Sequence, residues 1–396
     1  NVTAIRVGKS KNTKNVMIRD LEIDCSSHTA NLENTPETTD RNLQHGIVLD
    51  TNSGYCTVQN VHIIGTGDDS IYAYMPGNVN FIYNNFIEGT KGYYASIHVH
   101  SGGNRLVVIG NYIRNSAVGA IRHGLVIADN YIYGAGDNCP LQNAVILGGE
   151  CGSTITGNHI EQISEHGIWS FIDNVTIVGN VVKASASATP GKFGIFVHRQ
   201  AYPIYNNIVS GNYIEGFTDG ILISTNDGAY HSVITNNVIS NSTGYGIYGT
   251  MYEGIIADND IYSAGINGIE GKFYNTTVSR NIIAGDSETV NGIKILDGTA
   301  TVESNIFTGL TGAGVVIDAG SHNIHHNIGY ATENSGTSTG TGAQQTIAHG
   351  LAGTPTLVLL SPPTANPTES ATADNTNIYI TTDNGGDYYW YVEYQP

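Results

Sequence analysis

The chain has 396 residues, a formal net charge of −18 and only 13% charged residues. No basic stripe is available to neutralise phosphates, which excludes a nucleic-acid binder. No apolar run reaches the roughly 18 residues of a membrane span, and Ile, Val and Tyr recur too regularly for a disordered chain.

The N-terminal part already carries a pattern. Starting with Asp20 in VMIRDLEID, a short apolar element, a small polar residue and an apolar pair recur. The clearest instances are VQNVHI, YNNFIE, IGNYIR, ADNYIY, TGNHIE, SGNYIE and SRNIIA. They place Asn60, Asn85, Asn111, Asn130, Asn158, Asn180, Asn212, Asn237, Asn259, Asn281, Asn305 and Asn327 at equivalent points, most often 22 to 25 residues apart. A second element keeps phase with the first and reads HGIVLD, DSIYAY, ASIHVH, HGIWSF, FGIFVH, DGILIS and NGIKIL. Each run alternates at period two and is too short for a helix. Repeats of this length with short strands and Gly or Asn corners predict an all-β fold, a single-stranded parallel β-helix over residues 1–330. About a dozen coils at strand spacing give a rod on the order of 60 Å long. The bias of parallel crossovers predicts right-handed winding. Asn suits the corners because it tolerates the left-handed region and because stacked amides can bond along the rod.

After Tyr330 the pattern stops. Residues 331–344 are small and polar and read as a linker. Residues 345–396 contain three strand-like runs, TLVLLSP, NIYITTD and DYYWYVEYQ, and read as a small C-terminal β-sandwich-like module.

In the second element the first residue after Gly points inward and the next outward. The inner column is Ile47, Ile71, Ile97, Ile121, Val145, Ile168 and their successors, a plain core stack. The outward columns carry Tyr72, Tyr74, His98, His100, Arg122, Trp169, Phe171 and His198, followed by Tyr248, Glu270, Lys272 and Lys294. His123 and Arg199 lie beside them, and Asp69 shares a column with His45, His166 and Asp219. Aromatic rings pack on sugars, and Arg and His donors bind hydroxyls and carboxylates. Trp169, Phe171, His123, Tyr248 and Asp50 are therefore expected to bind a polysaccharide. The same face holds the parts for β-elimination on a uronic-acid glycan. Arg122 or Arg199 would neutralise the substrate carboxylate, His98, His100 or His198 would be the base, and Tyr72 or Tyr74 the acid. Epimerisation would use the same proton abstraction.

The stretch GDDSI, with Asp68 and Asp69, resembles the paired-aspartate motif of polygalacturonases, which are β-helix hydrolases. The resemblance implies that Asp68 and Asp69 supply the acid and the water-activating base, although His45 stands where that family has a third acid. Calcium is a further expectation, with Asp50, Asp68 and Asp69 as its oxygen ligands. The stretch AQQTIAHGLAGTPTLVLL and the aromatic ending resemble modules at the ends of phage and virus tail fibres. That implies an extracellular, secreted or virion-surface protein, a homotrimer that would cover Ile146, Phe196 and Leu222, and, as the non-enzymatic alternative, a fibre that binds glycans without cutting them. Elimination is the leading expectation. Four cysteines show no metal-ligand spacing, and Cys139 and Cys151 are near enough in sequence to pair.

Overall fold

The computed structural model describes residues 3–8, 13–27, 45–50, 53–67, 69–74, 80–89, 95–101, 106–120, 125–134, 144–147, 152–186, 191–199, 202–225, 227–286, 288–361, 370–381 and 387–395. All regular structure there is β. Strands stack in parallel, coil upon coil, and each coil contributes up to three short strands. The inner column of the first strand runs in register from Ile5 through Ile47, Ile71, Ile97, Val118, Val145, Ile168, Ile195, Ile221, Ile247, Ile269 and Ile293 to Val315. Apart from Ile5, a partly buried residue at the N-terminal end of the stack, these side chains are enclosed and form one continuous core. β-Branched residues suit this position because each packs on its copy in the neighbouring coil.

One coil departs from the expected register. Its strand is Val118–Ala120, so the inner residue is Val118 and the position opposite His98 is Gly119. Alternation alone places Ile121 and Arg122 there. Both apolar choices satisfy the pattern, and the local sequence does not distinguish them.

The asparagine corner divides two jobs that the sequence assigns to one residue. Asn85, Asn111, Asn130, Asn158, Asn180, Asn212, Asn237, Asn259, Asn281, Asn305 and Asn327 are buried. Each passes its amide to the next, as Asn158 Nδ2 donates to Asn180 Oδ1 at 2.8 Å and Asn180 Nδ2 to Asn212 Oδ1 at 2.9 Å. The left-handed residue is the one before it, for example Asn84 (φ 53°), Gly110 (φ 66°) and Asp129 (φ 51°). Asn60 belongs to this second class: its φ is 52°, it is exposed, and its amide reaches Asp20 at 3.1 Å.

The C-terminal part consists of two three-stranded antiparallel sheets around Leu351, Ile378, Ile380, Tyr388, Trp390 and Val392. The expected linker contains a strand, Glu333–Thr339, paired along its length with Asp387–Glu393. Its small residues are what an edge strand against a tryptophan needs, since a Cβ on Gly336 would lie 2.6 Å from Trp390 Cζ2. Cys25 and Cys56 are buried and free, while Cys139 and Cys151 lie outside the described residues.

Candidate functional site

The first strands of adjacent coils form one face, and two clusters of chemistry-bearing groups occupy it. The first lies on the strands Ile47–Leu49, Ile71–Tyr74 and Ile97–Ser101. His98 Nδ1 is 3.0 Å from Asp69 Oδ2, and Asp69 Oδ1 accepts the N–H of Ala95 at 3.1 Å. With the proton on His98 Nδ1, Asp69 accepts this bond. His45 Nδ1 stands 3.7 Å from the same carboxylate oxygen. The Tyr72 ring lies parallel to His45 at 4.8 Å and tilted against His98 at 5.3 Å. Outward in the pleat does not mean open here: Tyr72 is 4% and His98 1% exposed. Asp50 turns to Arg6, whose Nε donates to Oδ2 at 2.7 Å. Asp50 and Asp69 thus face different partners and do not fit a shared calcium ion. Among the described residues no three His, Cys, Asp or Glu are grouped to hold a metal. Tyr74 and His100 lie in the strands just named, but their side chains, with Asp68, Arg122 and His123, lie outside the described residues.

His198 and Arg199 are not brought to this cluster. Their coil is four strands away from that of His98, roughly 19 Å at strand spacing. Arg199 Nη1 is 3.8 Å from Asp173 Oδ2 and its guanidinium lies over the Tyr202 ring. His198 stacks on Phe196 at 5.3 Å, and burial lowers its pKa.

The second cluster begins there and holds Trp169, Phe171 and Tyr248, expected from the sequence, beside residues that the sequence places in columns but does not single out. Register aligns His166, Phe193, Asp219, Tyr245, Asn267 and Asn291 along the rod, and beside them Trp169, Phe196, Leu222, Tyr248, Glu270 and Lys294. Asp219 is 7% and Glu270 8% exposed. Asp219 Oδ1 accepts the Tyr245 N–H at 2.9 Å. Tyr245 lies on the coil between those of Asp219 and Glu270. Burial pushes the Asp219 pKa up to about 6, the Tyr245 N–H works against that rise, and the nearby Glu270 charge adds to it. Glu270 Oε2 accepts from Asn267 Nδ2 at 2.5 Å, and Asn267 is itself fixed by Asn291, whose Nδ2 donates to Asn267 Oδ1 at 2.9 Å. Burial, then the Glu270 charge, raises the pKa of Tyr245 and Tyr248, whose rings stack at 4.8 Å. Gly244 makes the room: a Cβ there would stand 2.4 Å from Asp219 Oδ1. A buried carboxyl whose pKa is raised near a second acidic side chain is the arrangement that general acid–base chemistry uses.

The sequence model of the family described as "Right handed beta helix region" matches residues 45–230 and 206–328. The chain belongs to the right-handed β-helix family. Within that family its fold is similar to a mutant tailspike protein of E. coli bacteriophage HK620 in complex with a pentasaccharide, at 10% identity and a TM-score of 0.47 over 89% of this chain and 83% of that one. It is also similar to the tailspike protein gp49 of Pseudomonas phage LKA1 (13%, TM-score 0.41, 95% and 68%). A mutant of the periplasmic alginate epimerase AlgG is a third (11%, TM-score 0.41, 79% and 84%). Identities this low concern the fold alone. No curated protein sequence matches the chain.

Proposed function

We propose that this right-handed β-helix is a polysaccharide-acting enzyme and that it hydrolyses glycosidic bonds with Asp219 and Glu270. The observation that carries the reading is the buried Asp219 carboxyl, its pKa raised, two coils from the buried Glu270. Asp219 donates its proton to the leaving oxygen. Glu270, oriented by Asn267, activates water. Two coils are roughly 10 Å at strand spacing, near the wide carboxyl separation that inverting hydrolysis uses. Aromatic rows precede the pair along the rod, and Lys272 and Lys294 follow it, so an extended chain lying along the axis would meet all of them.

Elimination is the second reading, favoured by the 3.0 Å bond that orients His98 against Asp69 with Tyr72 adjacent. There His98 takes the C5 proton through Nε2 and Tyr72 protonates the leaving oxygen. The two reactions separate in one assay on a panel of neutral, acylated and uronic-acid polysaccharides. Hydrolysis releases reducing ends with no absorbance near 235 nm, and Glu270→Gln should lower that release by about 10²-fold or more. A rise at 235 nm that survives Glu270→Gln but disappears in His98→Ala would replace hydrolysis by elimination. Reducing ends at an unchanged rate in Glu270→Gln would sink the assignment of the pair.

We propose that a polysaccharide-acting protein of this kind works outside the cytoplasm, at a virion or cell surface. We propose a homotrimer, though not through the residues expected from the sequence. Leu222 is already buried, Phe196 is packed between Trp169 and His198, and the Ile146 side chain lies outside the described residues. The exposed apolar side chains flank the asparagine corner instead, among them Phe81, Phe86, Tyr112, Ile208 and Ile255. Light scattering should give three times the monomer mass, and Phe86→Glu with Ile255→Glu should reduce it to one. A wild-type monomer at micromolar concentration would refute the trimer.

A further inference from the structure

We infer that His166, Trp169, Phe171, Phe193, Phe196 and His198 form a subsite for a sugar carrying a neutral acylamino group. The subsite lies on the same face as Asp219 and Glu270 and rests on the glycan-acting proposal. Three observations select this ligand.

The first is the shape of the apolar surface. His166 lies parallel to Phe193 (4.9 Å, 3°), Trp169 to Phe196 (5.6 Å, 15°) and Phe196 to His198 (5.3 Å, 9°). The first two pairs stack coil on coil and the third along the chain, so Phe196 lies between Trp169 and His198 and the faces within these pairs are covered. A pyranose needs a free ring face to stack on, whereas rings that cover one another's faces suit a small apolar group such as an acyl methyl.

The second is a missing acceptor. Trp169 Nε1 and His198 Nδ1 are enclosed and have no hydrogen-bond partner. An indole N–H can only donate, and leaving it unmatched is unfavourable. A carbonyl oxygen supplies what this N–H lacks.

The third is charge. The cations that border the patch are paired, Lys192 with Glu165 and Arg199 with Asp173. His166 Nδ1 accepts the Phe193 N–H at 3.1 Å, which holds that imidazole neutral, and burial, then the Lys192 charge, pushes its pKa down to about 4. Burial disfavours the cation of His198 as well. The patch thus offers the Trp169 N–H beside imidazoles whose cations are disfavoured, which matches an amide carbonyl and not a uronate carboxylate.

The chain has two tryptophans, Trp169 and Trp390, so indole fluorescence reads this patch directly. The Glu270→Gln protein would be titrated with N-acetylated tetramers of glucosamine and galactosamine, their de-N-acetylated counterparts, and tetragalacturonate. The expected result is a saturable change with an N-acetylated tetramer, at least tenfold tighter than with either comparison ligand and absent from Trp169→Phe. His198→Gln should weaken the same binding, and its melting curve guards against misfolding. Equal binding of the de-N-acetylated or uronate tetramer overturns the subsite, as does the absence of any change. Acylamino-dependent binding without release of reducing ends by the wild-type protein would instead remove the hydrolytic proposal and leave the subsite standing.

Discussion

Asparagine in place of Asp219 is expected to lower the hydrolytic rate by about 10²–10⁴ while making the protein more stable at neutral pH. The two effects have one cause. Asn keeps the carbonyl oxygen that accepts the Tyr245 N–H at 2.9 Å, so the local backbone is held, but it has no proton to give the leaving oxygen. The stability effect follows from linkage. The Asp219 pKa is about 6 in the folded protein against an ordinary value of 3.8. A raised pKa means that the folded state binds the proton more tightly, so this stability is fully present below pH 3.8 and is lost as pH rises through about 6. Above that, ionising Asp219 costs on the order of 2–3 kcal/mol, a cost the neutral variant does not carry. Thermal melts should coincide for both proteins near pH 4 and separate in favour of Asp219→Asn at pH 7. The wild-type rate should fall above pH 6 as the acid loses its proton, and the residual rate of the variant should lack that limb. A variant with a tenth or more of the wild-type rate, or one less stable than wild type at pH 7, would show that Asp219 is a structural carboxyl.

Such a trade of stability for a protonated acid explains why the pair is hard to read from sequence. The inner isoleucine column is legible because every coil repeats the same requirement, and one residue type meets it. Asp219 and Glu270 occur once each. Their chemistry comes from burial and from lying two coils apart around Tyr245, and neither can be read from local alternation. Alignment of the GI elements does put Asp219 and Glu270 in adjacent columns, which is the signal that could have found them. The opposite failure occurs at Tyr72 and His98. Alternation correctly turns them away from the core but gives no sign that they pack into an enclosed group with His45 and Asp69. At Val118 the sequence contains two acceptable registers three residues apart, and only pairing with Ile97 and Val145 selects one. The polar run 331–344 shows that composition describes side chains, not pairing: Glu333–Thr339 is a strand because Asp387–Glu393 lies beside it.

The asparagines give the largest expected effect on stability, and they separate two roles within one residue type. Asn212 is 1% exposed. Its Nδ2 donates to Ile177 O at 3.0 Å, Ser210 O at 3.2 Å and Asn237 Oδ1 at 2.9 Å. Its Oδ1 accepts from Asn180 N at 3.0 Å and Asn180 Nδ2 at 2.9 Å. Asn212→Ala removes all of these and leaves the Asn180 N–H and the Ile177 carbonyl enclosed without those partners. Asn237 Oδ1 keeps the backbone N–H of position 212 at 3.0 Å, so two groups are stranded, and at about 1–3 kcal/mol for each the loss should be at least ~2 kcal/mol. Because each coil contacts mainly its neighbours, the damage should be local, so a single melting temperature will understate it. Hydrogen exchange should accelerate first in the strands Thr176–Val178, Ile208–Ser210 and Tyr213–Glu215. Asn206, six positions earlier, is the control. It is exposed, with φ at 55°, and glycine adopts that conformation without a steric penalty. Asn206→Gly should therefore change the exchange of those strands little. Equal effects from both substitutions would mean that the exposed amide bond from Asn206 Nδ2 to Asn174 Oδ1 at 3.0 Å holds the coils in register as much as the buried ladder does.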